Sequence, residues 1–228
     1  VALMKSAQLG GTVLAQIFLA GGMDMDPCFA LYCQATEGNA VRFVKQKWKP
    51  MDRHLRLHRQ KQGLPPIFAA ERSRDASSST LYQERLAGPG GITFSGANSA
   101  ASLSMITVQR QVQDDLAKWQ MNEAGDPEAQ ADDRSKAMGD AAKIFKLSTP
   151  MFAHNCRITA AFKGGTQEHW HVPCPSCGVP QPLHWANMQA CLDEADPGDA
   201  HFTCDHCGER IEERDRDWMN ARGGWVAH

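Results

Sequence analysis

No apolar run in this 228-residue chain reaches the roughly 18–20 residues that a bilayer span requires. The longest candidate, Thr12 to Gly22, is short and reads as a buried helix. No basic segment followed by an apolar one opens the chain, so nothing marks it for export and the expected compartment is the cytoplasm. A start at Val1, directly on a motif, suggests a longer parent that has been trimmed or is only partly represented. Net charge is also nearly absent. The 24 Lys and Arg against 26 Asp and Glu leave −2, which argues against a domain that coats nucleic acid by bulk charge. No internal repeat is visible. With no export signal a disulfide framework is not expected, so the eight cysteines point to metal or free thiols.

What remains is an ordinary globular composition, 42% hydrophobic and 22% charged, in a chain long enough for one substantial core and a small satellite. The charge is uneven. Arg42, Lys45, Lys47, Lys49, Arg53, Arg56, Arg59 and Lys61 face only Asp52, whereas acids gather at Asp114 to Asp133 and Glu209 to Asp217. A local basic surface is expected over 42–61, with a solvated helix face as the plainer reading for each residue.

The opening VALM reads as the end of a buried strand, and TVLAQIFLAGG after it as an apolar helix. CFALYC is a second buried strand. TEGNAVRFVKQKWKPMDRH reads as an amphipathic helix capped by Thr36, with Val41, Val44 and Trp48 on one face and Pro50 ending or kinking it. Gly63 to Ser79 reads as an exposed loop. STLYQERLA and GITFSG form a hairpin around Gly88, Pro89, Gly90 and Gly91. SLSMITVQ is a further strand candidate, Asp126 to Gly139 a polar helix, and KIFKLSTP a strand that stops at a proline. Alternating strands and helices predict an α/β domain with a largely parallel sheet over 1–162. From 163 to 228 the long apolar runs stop, and a metal-stapled module is expected.

CPSCG and CDHCG supply that metal site. Cys174 with Cys177, and Cys204 with Cys207, form two knuckles in which thiolates three positions apart grip one ion from a tight turn, eased by Gly178 and Gly208. Four thiolates fill a tetrahedral zinc site and leave no position for a substrate, so the expected zinc is structural. Two redox CxxC motifs are the competing reading, but no thioredoxin-like context surrounds either. His171, His201 and His206 lie near enough in sequence to compete as ligands. Cys28, Cys33, Cys156 and Cys191 have no ligand spacing and read as small buried apolar residues.

Lys5, Ser6, Ala7, Gln8, Leu9, Gly10, Gly11 and Thr12 lie where a strand meets a helix. Against the P-loop template GxxxxGK followed by Ser or Thr, Gly10 and Thr12 match, Gly11 takes the lysine position and Lys5 the first glycine position. Backbone amides can hold phosphates whatever the side chains are. Thr12 would offer a hydroxyl to Mg²⁺, and Lys5 would reach back over the phosphates. An acidic pair at a strand end, Asp114 and Asp115, would orient the Mg²⁺ shell and position the attacking water. The same pair suits a helix N-terminus, and the two readings stay open.

These pieces, in this order, resemble the lambda-type family of bacteriophage terminase large subunits over nearly the whole chain. The stretches that carry the likeness are MKSAQLGGT, YCQATEGNA, FSGANSAASL, the pair Asp114–Asp115 followed by Trp119, GDPEAQADDRSKAMG, KLSTP and HVPCPSCGVPQPLHW. The resemblance implies a P-loop ATPase fold related to RecA and helicase motors, followed by a zinc ribbon. It implies ATP, Mg²⁺ and structural Zn²⁺, and packaging of viral double-stranded DNA into a procapsid inside the bacterial host cytoplasm. Implied partners are the DNA, the terminase small subunit, the portal protein and further copies of the chain in a ring. Ser148, Thr149 and Pro150 match the family's coupling motif, and Lys45, Lys47, Lys49 and Arg53 are DNA-backbone candidates. DNA cutting would belong to a C-terminal nuclease domain expected outside this chain. The sequence departs from many relatives at Gly11, where they carry lysine, and at Asp115, where they carry glutamate. Gln109, Arg110, Gln111 and Gln113 interrupt the strand before the acids. These departures keep open a decayed prophage remnant or a zinc-ribbon assembly module. A helicase or zinc protein outside packaging fits the motif order less well.

Overall fold

The computed structural model describes residues 1–69, 81–104, 106–152, 155–193 and 195–228. They form two compact units, Val1–Gly165 and Thr166–His228. In the first, β1 (Ala2–Met4), α1 (Gly11–Met25), β2 (Phe29–Gln34), α2 (Glu37–Phe43), α3 (Lys49–Lys61), β3 (Tyr82–Glu84), β4 (Gly91–Gly96), α4 (Ala100–Leu103), β5 (Arg110–Asp114), α5 (Pro127–Asp133), β6 (Lys143–Ser148) and α6 (Arg157–Lys163) follow one another. One six-stranded sheet runs in the order β1-β6-β5-β2-β4-β3. All its pairs are parallel except the β3–β4 hairpin at the edge. This is the α/β fold that the alternation predicts.

Helices cover both faces, which is why β2 and β4 read as nearly continuous apolar runs. One face packs Ala15, Leu19 and Met23 of α1 with Phe43, Trp48, Ile92 and Phe94; the other packs Leu31, Leu103, Leu116, Ala131 and Ile158. Helix α1 is buried along one stripe only, because Val13, Leu14 and Ile17 are exposed. That corrects the expectation of a fully buried helix.

Thr36 caps α2 by accepting the Asn39 amide at 3.2 Å. Pro50 does not end the helix. Val44–Trp48 forms a π-turn that runs directly into α3. The wider turn bonds the Lys49 amide to the Val44 carbonyl, so the helix passes a residue that has no amide to give. Trp48 is fully buried, Phe43 and Val44 nearly so, and Val41 is half-buried.

Three other expectations change. No described residue of SLSMITVQ lies in a strand: Ser99 caps the short helix α4 there, and β5 begins at Arg110. The polar helix ends at Asp133 and gives way to a 3₁₀ segment, Lys136–Ala141. Within the expected loop Gly63 to Ser79, Ile67 and Phe68 are buried in the core, and residues 70–79 lie outside the described residues.

The second unit holds β7 (His169–Pro173), β8 (Pro180–Pro182), α7 (Trp185–Ala190), β9 (Phe202–Thr203), β10 (Arg210–Ile211), α8 (Arg216–Asn220) and β11 (Gly224–Val226). They make a three-stranded antiparallel sheet, β11-β7-β8, and a two-stranded one, β10-β9. The fully buried apolar residues are few: Val172, Cys174, Cys204, Ile211 and Met219. Such a core is too small to hold a unit of this length without a staple.

Candidate nucleotide site and metal centre

Strand register sets the first site. Met4 of β1 pairs with Ser148 of β6, Leu147 with Asp114 of β5, and Gln113 with Cys33 of β2. The C-terminal ends of these four strands are therefore level. The edge outside such ends is where open α/β sheets bind ligands.

The loop Lys5–Gly10 leaves β1 there. Gln8 and Gly10 take left-handed backbone angles, φ 63° and 74°, and α1 starts at Gly11. Its first amides have no acceptor within the helix and are available to an anion. Ser6, Ala7, Gln8 and Leu9 are exposed, and Thr12 is half-buried. The stem of Lys5 lies across Gly11. A Cβ at Gly11 would sit 2.2 Å from Lys5 Cε, 2.8 Å from its Cδ and 3.1 Å from Leu147 Cδ1. The lysine at the front of the loop thus fills the space of the side chain that the template places at its end. Gly11 and Lys5 form one reciprocal arrangement rather than two separate departures.

Asp114, 5% exposed, ends β5. Its Oδ2 accepts the Tyr32 hydroxyl at 2.6 Å and Gln34 Nε2 at 2.9 Å, and its Oδ1 accepts the Asp115 amide at 2.9 Å. Gln34 Nε2 also lies 2.9 Å from the Tyr32 oxygen. Burial raises the Asp114 pKa above the ordinary carboxyl value. The Tyr32 bond works against that rise, the neighbouring Asp115 charge adds to it, and the Asp115 amide and the Lys5 charge oppose it. Asp115 has φ 55°, an uncommon conformation for a residue with a Cβ. Its carboxylate pairs with Lys118 at 2.8 Å. The helix-start reading of the acids is met only by a three-residue 3₁₀ turn, Leu116–Lys118.

Tyr32 and Gln34 were not singled out from sequence. Two polar side chains two positions apart on a buried strand point to the same face, and that was the available signal. Of the polar residues that interrupt the apolar run, Arg110, Gln111 and Gln113 lie within β5 and Gln109 just before it. Gln111 Nε2 donates to the Ala131 carbonyl at 2.7 Å, and Gln113 Nε2 to Asp132 at 2.7 Å.

Ser148, 1% exposed, touches both loops. Its carbonyl accepts the Lys5 amide at 3.1 Å, and its Oγ accepts the Ala117 amide at 3.1 Å. Thr149 beside it is half-buried and Pro150 exposed. Of the basic candidates, Lys45, Lys47 and Arg53 are exposed and Lys49 is half-buried. Arg56 and Arg59 are committed internally, to Asp52 at 2.9 Å and to Asp24 at 2.7 Å.

The second unit gathers Cys174, Cys177, Cys204 and Cys207 with all four sulfurs within 4.8 Å of one another. Cys174 to Cys207 and Cys177 to Cys204 are each 3.8 Å. A tetrahedron of sulfurs about 2.3 Å from zinc has edges of about 3.8 Å, so the set fits that ion. The two knuckles match: Gly178 and Gly208, at φ 75° and 74°, donate to the carbonyls of Cys174 and Cys204 at 2.9 and 3.0 Å. Burial disfavours the Cys204 thiolate. Amide donors from Cys207 and His206 and the Gln181 side chain more than offset it and bring its pKa to about 6. His171, His201 and His206 are not among the clustered ligands. Of the remaining cysteines, Cys28, Cys33 and Cys156 are buried, whereas Cys191 is partly exposed beside Thr203.

Among known families, the model described as phage terminase large subunit gpA, ATPase domain, matches residues 1–225. No curated protein matches the chain.

Proposed function

The chain belongs to the phage terminase large subunit gpA ATPase-domain family, and from that premise we propose that its first unit couples ATP hydrolysis to the movement of viral double-stranded DNA into a procapsid. The observation that carries the reading is the meeting of Lys5, Ser148 and Asp114 at the level end of four parallel strands. Lys5 and the backbone from Ser6 to Gly11 cradle the phosphates. Thr12 and Asp114 hold Mg²⁺, which neutralises phosphate charge, and Asp115 positions the attacking water. Support for the metal role comes from the buried carboxylate itself: Tyr32 and Gln34 fix it in place, and its raised pKa reflects a charge that a cation would stabilise.

Ser148, with Thr149 and Pro150, couples the loops, because one residue bonds the start of the phosphate loop and the turn after the acids. Lys45, Lys47, Lys49 and Arg53 contact the DNA backbone without reading sequence, as a motor for any DNA needs. Further copies in a ring, the small subunit and the portal protein complete the machine. Zinc on the four cysteines is structural.

DNA-stimulated ATP hydrolysis by wild type, Lys5→Ala and Asp114→Asn tests the reading. Each variant should lose about 10²–10³-fold in turnover, the scale for removing one charge-stabilising group; equal rates would remove the assigned roles. A second reading, a chain that binds nucleotide without turning it over, is favoured by the short Asp115 side chain held by Lys118. ATP binding by wild type with no hydrolysis on DNA is the result that would select it.

A further inference from the structure

The three-stranded sheet of the second unit has two unlike faces. Trp170 pairs with Trp225, their rings 5.4 Å apart and edge to face, and Val172 on the same face of β7 is buried in the small core. The opposite face carries histidines. His169 and His171 are two apart on β7 and share that face. In the register that pairs His171 with Pro182, His184 lies across from His169. In the register that pairs His169 with Val226, His228 falls on the same face as both. Its backbone is held there by a bond from its amide to the Thr166 carbonyl, 3.3 Å.

The rings do come together. Their centroids are 4.9 Å apart for His169 and His228, 6.2 Å for His171 and His228, and 6.4 Å for His169 and His184. The Nε2 atom of His171 is buried and has no hydrogen-bond partner, a condition that calls for an explanation in a folded protein. The surrounding residues 166–228 carry four arginines and no lysine against eleven acids, a formal −7 that draws cations.

We propose that His169, His171 and His228 form a second metal site, separate from the four cysteines, for a borderline divalent cation such as Zn²⁺ or Co²⁺, with His184 flanking it. Imidazoles on a tetrahedral ion, with nitrogens about 2.0–2.1 Å away, hold their centroids roughly 5 Å apart. The His169–His228 spacing, 4.9 Å, already matches that value, and the His171–His228 spacing, 6.2 Å, must close by about 1 Å with ring rotation. Among the described residues the cysteines alone have three or more ligand atoms already within 4.8 Å of one another, so the histidine site closes on its ion rather than standing preformed. Three imidazoles leave a fourth position open to water or to an anionic group, unlike the filled cysteine site.

The full chain, carrying one zinc on its cysteines, is titrated with Co²⁺ and bound metal is counted by equilibrium dialysis. A second equivalent should bind without the thiolate-to-cobalt absorption that would report exchange into the cysteines. His169→Ala, His171→Ala and His228→Ala should each weaken it by at least about tenfold, while each keeps its cysteine-bound zinc. In the wild-type chain, where no variant needs to fold, Co²⁺ should broaden the ring-proton resonances of His169, His171 and His228 and spare those of His201 and His206. No second equivalent, unchanged affinity in all three variants, or broadening confined to His201 and His206 would each overturn the proposal.

Discussion

Replacing Gly11 by alanine isolates the arrangement at the mouth of the proposed nucleotide site. The added Cβ would lie 2.2 Å from Lys5 Cε, against 3.4 Å for the start of ordinary contact; the stem must therefore retreat by about 1.2 Å at that carbon. Lysine is flexible there and Leu147 Cδ1, at 3.1 Å, yields by a few tenths of an ångström, so the fold bears little of the strain. Alanine is favoured over glycine in a helix by up to about 1 kcal/mol, and folding stability should change by no more than that. If Lys5 has the proposed phosphate-binding role, displacing it by about 1 Å can cost on the order of 10²-fold in rate. Turnover at saturating DNA, measured with a thermal melt on the same samples, should show that loss with a melt moved by no more than about 4 °C. The decisive arm is the cycle with Lys5→Ala. In that background Gly11→Ala should change nothing, because its effect passes through the lysine, and Lys5→Ala/Gly11→Lys should recover part of the rate. A Gly11→Ala enzyme with wild-type turnover, or one that loses as much again when Lys5 is already alanine, refutes the reciprocal packing.

Tyr32→Phe removes the 2.6 Å bond to Asp114 while keeping the ring stacked on Phe43 at 3.8 Å. It should destabilise the fold by about 1–3 kcal/mol, and the acid limb of the rate profile should move to higher pH, because that bond holds the Asp114 pKa down; an unmoved limb with lowered stability would make Tyr32 purely structural. Asp114 itself binds its proton more tightly folded than unfolded, so its ionisation opposes folding above the folded pKa and that opposition is lifted as pH falls. Wild type should therefore gain stability relative to Asp114→Asn in denaturant titrations as pH drops from neutral to 3.8, its unperturbed value; a constant difference would contradict the burial argument. Removing zinc with a chelator, or Cys177→Ser, should unfold residues 166–228 and leave the first unit protected in hydrogen exchange, since metal binding supplies the folding energy of such small modules. Lys146→Met removes the ammonium 2.8 and 2.7 Å from Glu128 and Asp132, leaving Glu128 with Arg157 and Asp132 with Gln113, and should lower the urea midpoint by the equivalent of about 1–3 kcal/mol; no change would mean the cluster is screened.

Elements written in apolar runs with glycine or proline at their ends were legible: β1, α1, β2, the β3–β4 hairpin and β6 fall on VALM, the helix after it, CFALYC, GITFSG and KIFKLS. Strand β5 was not, because periodicity registers apolarity and not partners. Gln111 and Gln113 are wholly buried, and the groups that accept from their Nε2 atoms lie about twenty residues downstream on α5 and just beyond it. Pro50 misled for a related reason: a proline breaks α-helical bonding, but a π-turn offers a route past it. The cysteine cluster was readable because knuckle spacing is local geometry. Lys5 and Gly11 were visible as substitutions in a template, yet their common cause is a packing contact that a linear pattern does not contain. Tyr32 and Gln34 reach Asp114 from some 80 residues away, and only parallel pairing of β2 with β5 brings them together.

The four-cysteine cluster also alters the electrical balance of the molecule. The formal −2 of the chain divides into +5 on residues 1–165, from 20 basic and 15 acidic side chains, and −7 on residues 166–228. Those figures treat every thiol as neutral. A divalent ion held by four thiolates leaves a residual −2, so loading takes the ribbon to −9 and the chain to −4. The ion that completes the ribbon thereby makes it more repellent to a phosphate backbone, and any hold on DNA by long-range charge rests with the other unit. Surfaces that meet the loaded ribbon favourably are basic ones, and their association with it weakens as salt is added.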